Sequence, residues 1–311
     1  MTLTPLRGLI AAPFTPFRAY GSLALEVIPQ QAAALAVNGV SGAFVCGSTG
    51  EGASLTIAER QSVTAAWIAA APAELRVVVH VGHTSVEESR GLARHAMKVG
   101  ASAIAAYAPT YYKPATVADL VECCALIASE APDLPFYYYH IPSMTGVNLS
   151  CSAFLSAARD RIPNLAGIKF THENLMEYLA CLRFEGGRYD ILFGRDECLV
   201  AALALGAKGA IGSTYNYIAP VFRELLGAFA LGDLALATER QEQANRLIEV
   251  MIQHGGQSAA KAIMGMTGID CGPCRPPLST LSEGAIARLR DDLAKGDFAA
   301  WANVTPPALS R

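Results

Sequence analysis

The stretch Leu165-Ala166-Gly167-Ile168-Lys169-Phe170-Thr171 decides how this chain is read. Apolar residues lead up to Lys169 and Phe170 follows it. The run therefore reads as a buried β-strand over 165–170 with a lysine near its carboxyl end. A lysine ammonium is strongly hydrated, and burial disfavours its charged form. A lysine held there loses its proton more readily and becomes a nucleophilic amine, the state that forms an imine with a carbonyl compound. The alternative is a strand-end lysine whose stem is buried and whose head reaches water. Taken alone, the stretch leaves both open.

Outward from it, short β-rich apolar runs alternate with segments of helical period. Strands are expected over 8–14, 42–46, 76–81, 103–107, 135–140, 165–170, 190–193 and 209–212. Helices are expected over 25–37, from Thr56, from Ser85 to Gly100, and over 117–130, 150–161, 174–183, 197–205 and 221–231. Thr56 with Glu59, and Ser85 with Glu88, have the capping-box spacing, and Asn38-Gly39 is a helix stop. Eight strand–helix units in series build a parallel sheet, and eight is the number that closes a barrel. The rival is an open doubly wound sheet, but no G-x-G-x-x-G follows the first strand and no P-loop sequence occurs. The expected fold is α/β, a (β/α)8 TIM barrel over residues 1–231 with a C-terminal helical extension over 232–311. Helices 234–254, 258–266 and 283–294 of the extension, linked through the GPCRPP stretch 272–277, should pack beside the barrel.

Composition excludes several classes. The chain has 311 residues, 52% hydrophobic and 16% charged, with a net charge of −3. That is ample for a large core and offers no basic patch for nucleic acid. No apolar run reaches the roughly 18 residues of a membrane span. The start lacks a basic region followed by an apolar run, so no signal peptide is read and a cytoplasmic protein is expected. Among the eight cysteines, Cys46, Cys181 and Cys198 sit in apolar segments and read as small core residues. Cys271-Gly-Pro-Cys274 has no second C-x-x-C or histidine pair to complete a zinc site, and it follows helical sequence instead of opening a helix after a strand. His140 and His172 can approach in space, but no H-E-x-x-H accompanies the histidines, and no metal is expected.

In such a barrel the chemistry lies at the carboxyl ends of the strands. Those ends carry Gly47-Ser48-Thr49-Gly50-Glu51, Thr110-Tyr111-Tyr112-Lys113, Tyr139-His140, Lys169 with Thr171, Gly194-Arg195-Asp196-Glu197 and Ser213-Thr214-Tyr215. Of the six lysines, Lys98, Lys261 and Lys295 fall on helices, Lys208 lies at the opposite face, and Lys113 sits in a loop without an apolar wall. Lys169 is left as the candidate nucleophile. Tyr139, one unit back on the neighbouring strand, can shuttle protons, or belongs to an aromatic run in which Tyr137 and Tyr139 share one face and Tyr138 the other. The Gly47–Glu51 turn offers N–H groups and the Ser48 and Thr49 hydroxyls, which suit a carboxylate or a phosphate, and its lack of Lys or Arg leans to the carboxylate; the alternative is an ordinary βα turn. Asp196 and Glu197 can bind substrate hydroxyls or cap the helix that follows them.

The set GSTGEG, PTYYK, YYYHIPSMTG, GIKFT, FGRDE and GAIGSTYN resembles the pyruvate-dependent class I aldolases, the dihydrodipicolinate synthase and N-acetylneuraminate lyase family, from Leu6 to about Leu281. The lyase branch is the nearer match. The resemblance implies a homotetramer and an enzyme that cleaves N-acetylneuraminate to N-acetylmannosamine and pyruvate. Lys169 would form a covalent imine with pyruvate, and no cofactor would be needed. Tyr139 would be the proton shuttle, with Ser48 and a neighbouring subunit's Tyr112 completing a hydroxyl relay. Ser48 and Thr49 would hold the pyruvate carboxylate, and Thr171, Gly194, Asp196, Glu197 and Ser213 the sugar chain. Two departures stand out. Met144 occupies the place of an arginine that binds a substrate carboxylate in the synthases, and Arg195 stands where the lyases have an uncharged residue.

Overall fold

Short strands that are buried along nearly all of their length leave little choice but a closed parallel sheet covered by helices. The computed structural model describes residues 5–306 and has this arrangement. The strands are β1 (Gly8–Ala11), β2 (Gly42–Val45), β3 (Arg76–His80), β4 (Ala103–Tyr107), β5 (Phe136–His140), β6 (Leu165–Phe170), β7 (Asp190–Phe193) and β8 (Gly209–Gly212). They are parallel and close in sequence order, β8 returning to β1 with Gly8 opposite Gly209 and Ala11 opposite Gly212. The chain is a (β/α)8 TIM barrel with further helices at its carboxyl end. Residues 1–4 and 307–311, the outer ends of the two expected segments, lie outside the described residues.

Side-chain alternation sorts the two layers. Ile10, Phe44, Val78, Ala105, Tyr137, Tyr139, Leu192 and Ile211 fill the barrel interior. Tyr138, Ile168, Phe170, Ile191 and Phe193 point the other way, into the layer beneath the helices. Tyr137 closes the end away from the candidate site: its hydroxyl donates to Asp190 Oδ2 at 2.9 Å, which also accepts from Leu6 N at 2.8 Å.

The helix Ile57–Ala70 starts with the expected box, Thr56 and Glu59 bonding reciprocally. Ser85 accepts from Glu88 N at 3.3 Å, and Gly100 closes that helix in a left-handed conformation. The long helix Leu234–Gln253 buries Ala237, Ala244, Leu247 and Ile248. Ala244 and Leu247, with residues of Gln257–Met266, share one apolar cluster with the barrel helix Ala219–Ala230.

Some expectations need correction. The first strand stops at Ala11 rather than residue 14, since Pro13 has no N–H for the ladder, although Ala12 N still donates to Gly212 O at 2.8 Å. The segment 25–37 divides into a 3-10 turn, Leu25–Val27, and the helix Ile28–Val37. Residues Asp196–Cys198 form a 3-10 turn before the helix Leu199–Leu205. Two four-residue helices, Pro142–Thr145 and Phe298–Trp301, are too short to show a period. Cys198 is exposed rather than a core residue, whereas Cys46, Cys181, Cys271 and Cys274 are buried.

Candidate active site

The ladder between β5 and β6 sets Tyr139 directly opposite Lys169. Both side chains turn into the barrel at its carboxyl end, where a cavity of about 190 Å³ is lined by Ser48, Thr49, Tyr139, Lys169, Thr171, Gly194, Arg195, Asp196, Glu197 and Ser213. These residues come from five separate strand ends, those of β2, β5, β6, β7 and β8, and the barrel closure brings them together. A larger cavity, about 580 Å³, lies among the C-terminal helices and carries none of these residues.

Lys169 is 4% exposed. Its amine lies 3.9 Å from the centre of the Phe44 ring and 4.0 Å from that of Tyr139. Burial lowers its pKa to about 7, and the charge of Asp196 opposes that shift. Of the two readings of the lysine, snorkelling to water is therefore ruled out. At neutral pH a large fraction of the amine is unprotonated.

Around the amine, the Tyr139 hydroxyl lies 3.4 Å from Ser48 Oγ. Burial raises the Tyr139 pKa, with the Ser48 hydroxyl opposing. Asp196 is buried, and Oδ2 accepts from Thr214 N at 3.0 Å and Thr214 Oγ1 at 2.6 Å. Its pKa is raised by burial and held back by the Thr214 bonds. Asp196 Oδ1 and Thr171 Oγ1 are buried without a hydrogen-bond partner among the described residues. Buried polar atoms rarely stay unpaired, so this pair is available to a polar ligand.

Two glycines are dictated by close approach. A Cβ on Gly194 would stand 2.0 Å from Thr171 Oγ1, and one on Gly212 would stand 1.8 Å from Asp196 Oδ1. Tyr112 is not brought to the cavity. It is 85% exposed, packed edge-on to Tyr111 with ring centres 5.0 Å apart. Arg195 lines the cavity as a paired cation: it pairs with Glu173 and, at 3.2 Å, with Glu197. His140 and His172 do meet, ring centres 5.6 Å apart, outside the cavity lining.

Residues 5–295 match the dihydrodipicolinate synthetase family. The chain belongs to that family. It is 42% identical over 293 residues to N-acetylneuraminate lyase of Gallus gallus, covering 93% of this chain and 95% of that protein. The solved N-acetylneuraminate lyase of Proteus mirabilis superposes with a TM-score of 0.92 at 42% identity, covering 95% of this chain and all of that one. The sialic acid aldolase of Aliivibrio salmonicida superposes equally well, TM-score 0.92 at 42% identity, covering 95% of this chain and 98% of that one.

Within this member of the dihydrodipicolinate synthetase family, Phe44 and Glu173 escape the sequence reading, which places Thr214 at the end of the eighth strand without a role. Phe44 supplies the apolar face against the Lys169 amine; strand alternation in β2 could have placed it inward. Thr214 holds Asp196, and Glu173 holds Arg195. Neither contact has a sequence signal, because each joins two strand ends that meet only when the barrel closes.

Proposed function

We propose that this protein is a Schiff-base aldolase that reversibly cleaves N-acetylneuraminate to N-acetylmannosamine and pyruvate. The observation that carries the reading is the buried Lys169 amine, its pKa brought down to about 7, facing a cavity lined by hydroxyls and acids. Similarity to the lyases supplies the substrate.

In this reading Lys169 Nζ attacks the ketone carbon, C2, of the open-chain sugar. The carbinolamine loses water with a proton delivered by the Tyr139 hydroxyl, leaving a protonated imine. As the C4 hydroxyl gives up its proton, the C3–C4 bonding electrons flow into the imine, and N-acetylmannosamine departs as the aldehyde. The enamine left on Lys169 takes a proton at C3 and is hydrolysed to pyruvate. The imine itself is the electron sink, so the chemistry requires neither a metal nor an organic cofactor. The acceptor of the C4 proton is Tyr139 or the substrate's own carboxylate.

Ser48 and Thr49 would hold the carboxylate of the pyruvate unit. Thr171, Asp196, Glu197 and Ser213 would take the hydroxyls of the chain, and Gly194 would make room for it. Tyr112 and Tyr111, exposed on the chain, fit a homotetramer in which Tyr112 enters the relay of a neighbouring subunit. Among the described residues no helix is long and apolar enough to cross a membrane.

A second reading, an aldolase or dehydratase for another 2-keto sugar acid, rests on Arg195, which lines the sugar end of the cavity and is paired there with Glu173 and Glu197. Dihydrodipicolinate synthesis is disfavoured by Met144, which offers no cation for a second carboxylate. Borohydride reduction with pyruvate, followed by peptide mass analysis, tests the chemistry: the adduct is expected on Lys169, and an adduct elsewhere or none refutes it. Pyruvate release from N-acetylneuraminate tests the substrate; rapid turnover of a different keto sugar acid alone selects the second reading.

A further inference from the structure

The turn that carries Ser48 and Thr49 is held from outside the barrel. Two of its non-glycine residues, Cys46 and Glu51, have φ of 57° and 51°, a left-handed conformation that β-carbon sterics disfavour. Such a turn keeps its shape only when its surroundings over-determine it. The surroundings here come largely from the C-terminal helices. Gln257 Nε2 donates to Thr49 O at 2.7 Å. Lys261 Nζ donates to Glu51 Oε1 at 2.8 Å and to Pro273 O at 2.7 Å. Arg275 N donates to the other oxygen of Glu51 at 2.8 Å. The Lys261 and Glu51 side chains are 1% and 0% exposed, so this ion pair lies wholly out of water.

The opposite wall of the cavity is held in the same way from the preceding helix, Leu234–Gln253. Gln241 Nε2 donates to Asp196 O at 2.9 Å, and its Oε1 accepts from Val200 N at 3.1 Å. Asn245 Nδ2 donates to Glu197 O at 3.1 Å. None of these four helix residues lines the cavity of Lys169.

We infer that the C-terminal helices are part of the binding machinery and that they divide it in two. Gln257 and Lys261 are positioning residues for the turn that receives the carboxylate of the pyruvate unit. Gln241 and Asn245 are positioning residues for the turn that receives the sugar chain. The inference rests on the proposed aldolase reading and deepens it. It runs against the plain alternative that these helices only complete the core, because bonds aimed at the backbone of Thr49, Asp196 and Glu197 fix where each side chain stands.

The test uses the full chain and two readouts: the pyruvate concentration that half-saturates borohydride trapping on Lys169, and KM for N-acetylneuraminate. Gln257→Leu should raise both by about three- to tenfold, the range of one lost hydrogen bond. Asn245→Leu should raise KM by a similar factor and leave half-saturating pyruvate unchanged. The double variant Glu51→Leu/Lys261→Met replaces the buried pair by apolar groups, a change that preserves folding in other proteins; it should melt near the wild type yet need at least about tenfold more pyruvate. If the double variant does not fold, the two single variants decide alone. Variants that shift melting temperature while both readouts stay at wild-type values overturn the inference, as does an Asn245→Leu variant that raises half-saturating pyruvate as much as KM. A wild type that forms no adduct refutes the aldolase reading itself, and the inference falls with it.

Discussion

Lys169 meets the face of Tyr139, its amine 4.0 Å from the ring centre, while the Tyr139 hydroxyl looks away towards Ser48 Oγ at 3.4 Å. Ring and hydroxyl therefore do separate things. The ring helps to desolvate the amine, and the hydroxyl is the part able to move a proton. Tyr139→Phe keeps the ring and removes the hydroxyl. It should still be trapped on Lys169 by pyruvate and borohydride, with turnover lowered by about 10²- to 10⁴-fold, the usual worth of a positioned acid–base group. Near-normal turnover would remove Tyr139 from proton transfer and hand the C4 proton to the substrate carboxylate.

The same burial predicts a pH profile. Imine formation needs the neutral amine, and the Lys169 pKa is about 7. Trapping at low pyruvate should therefore fall as pH drops through 7, approaching tenfold per unit below it. Asp196 raises the lysine pKa by its charge. Asp196→Asn should move the acidic limb to lower pH, measured by trapping so that weakened sugar binding does not intervene. A limb that stays in place, or moves up, would contradict that electrostatic link.

Much of this site was legible before any coordinates, and the reason is topological. A parallel barrel delivers its strand ends to one face, so counting strand units was enough to place Lys169, Tyr139, Ser48 and Asp196 together. Lys261 shows where that logic stops. Placed on a helix and set aside, it is buried against Glu51, a residue 210 positions away in the chain. Nothing local distinguishes such a lysine from a solvated one. Likewise the sequence marks Arg195 only as a departure from the lyases, and the folded chain is what brings Glu173 to it.

Burial of Lys169 also has a cost in stability, with a definite sign. The unfolded lysine has an ordinary pKa of 10.5 and the folded one about 7. Between these values the unfolded chain binds more protons, so stability rises with pH across that window. Below pH 7 the penalty is fully present. Lys169→Met removes the charge and keeps most of the volume. It should be more stable than the wild type by a few kcal/mol at pH 6 to 7, the gap closing as pH approaches 10. Urea unfolding of both proteins at several pH values measures this; a gap independent of pH would mean that the amine is not dehydrated.

Arg195 should act through its neighbours more than through substrate. It is held by Glu173 and by Glu197 at 3.2 Å, about a quarter exposed. Partly exposed ion pairs are worth roughly 0.2–1 kcal/mol. Arg195→Gln should then raise KM for the sugar by no more than about fivefold through looser placement of Glu197, with pyruvate trapping unchanged. A larger loss confined to substrates bearing a second anion would instead assign Arg195 a direct contact and favour a different keto sugar acid.

The sharpest steric test is Gly212→Ala. A Cβ at that position would stand 1.8 Å from Asp196 Oδ1, and Asp196 has little freedom to retreat. Its other oxygen is bonded to Thr214 N at 3.0 Å and Oγ1 at 2.6 Å, and its carbonyl accepts from Gln241 at 2.9 Å. Either the carboxylate leaves its bonds or β8 shifts. Overpacking of this kind typically costs about 1–3 kcal/mol, which should lower the melting temperature. Cleavage of N-acetylneuraminate should fall at least about tenfold as Asp196 is displaced from the sugar chain, while pyruvate is still trapped on Lys169. If Asp196 has left its position, the acidic limb of trapping should also move down, as in Asp196→Asn. Normal cleavage by Gly212→Ala would mean that the carboxylate can rotate away without loss, and would take Asp196 out of substrate binding.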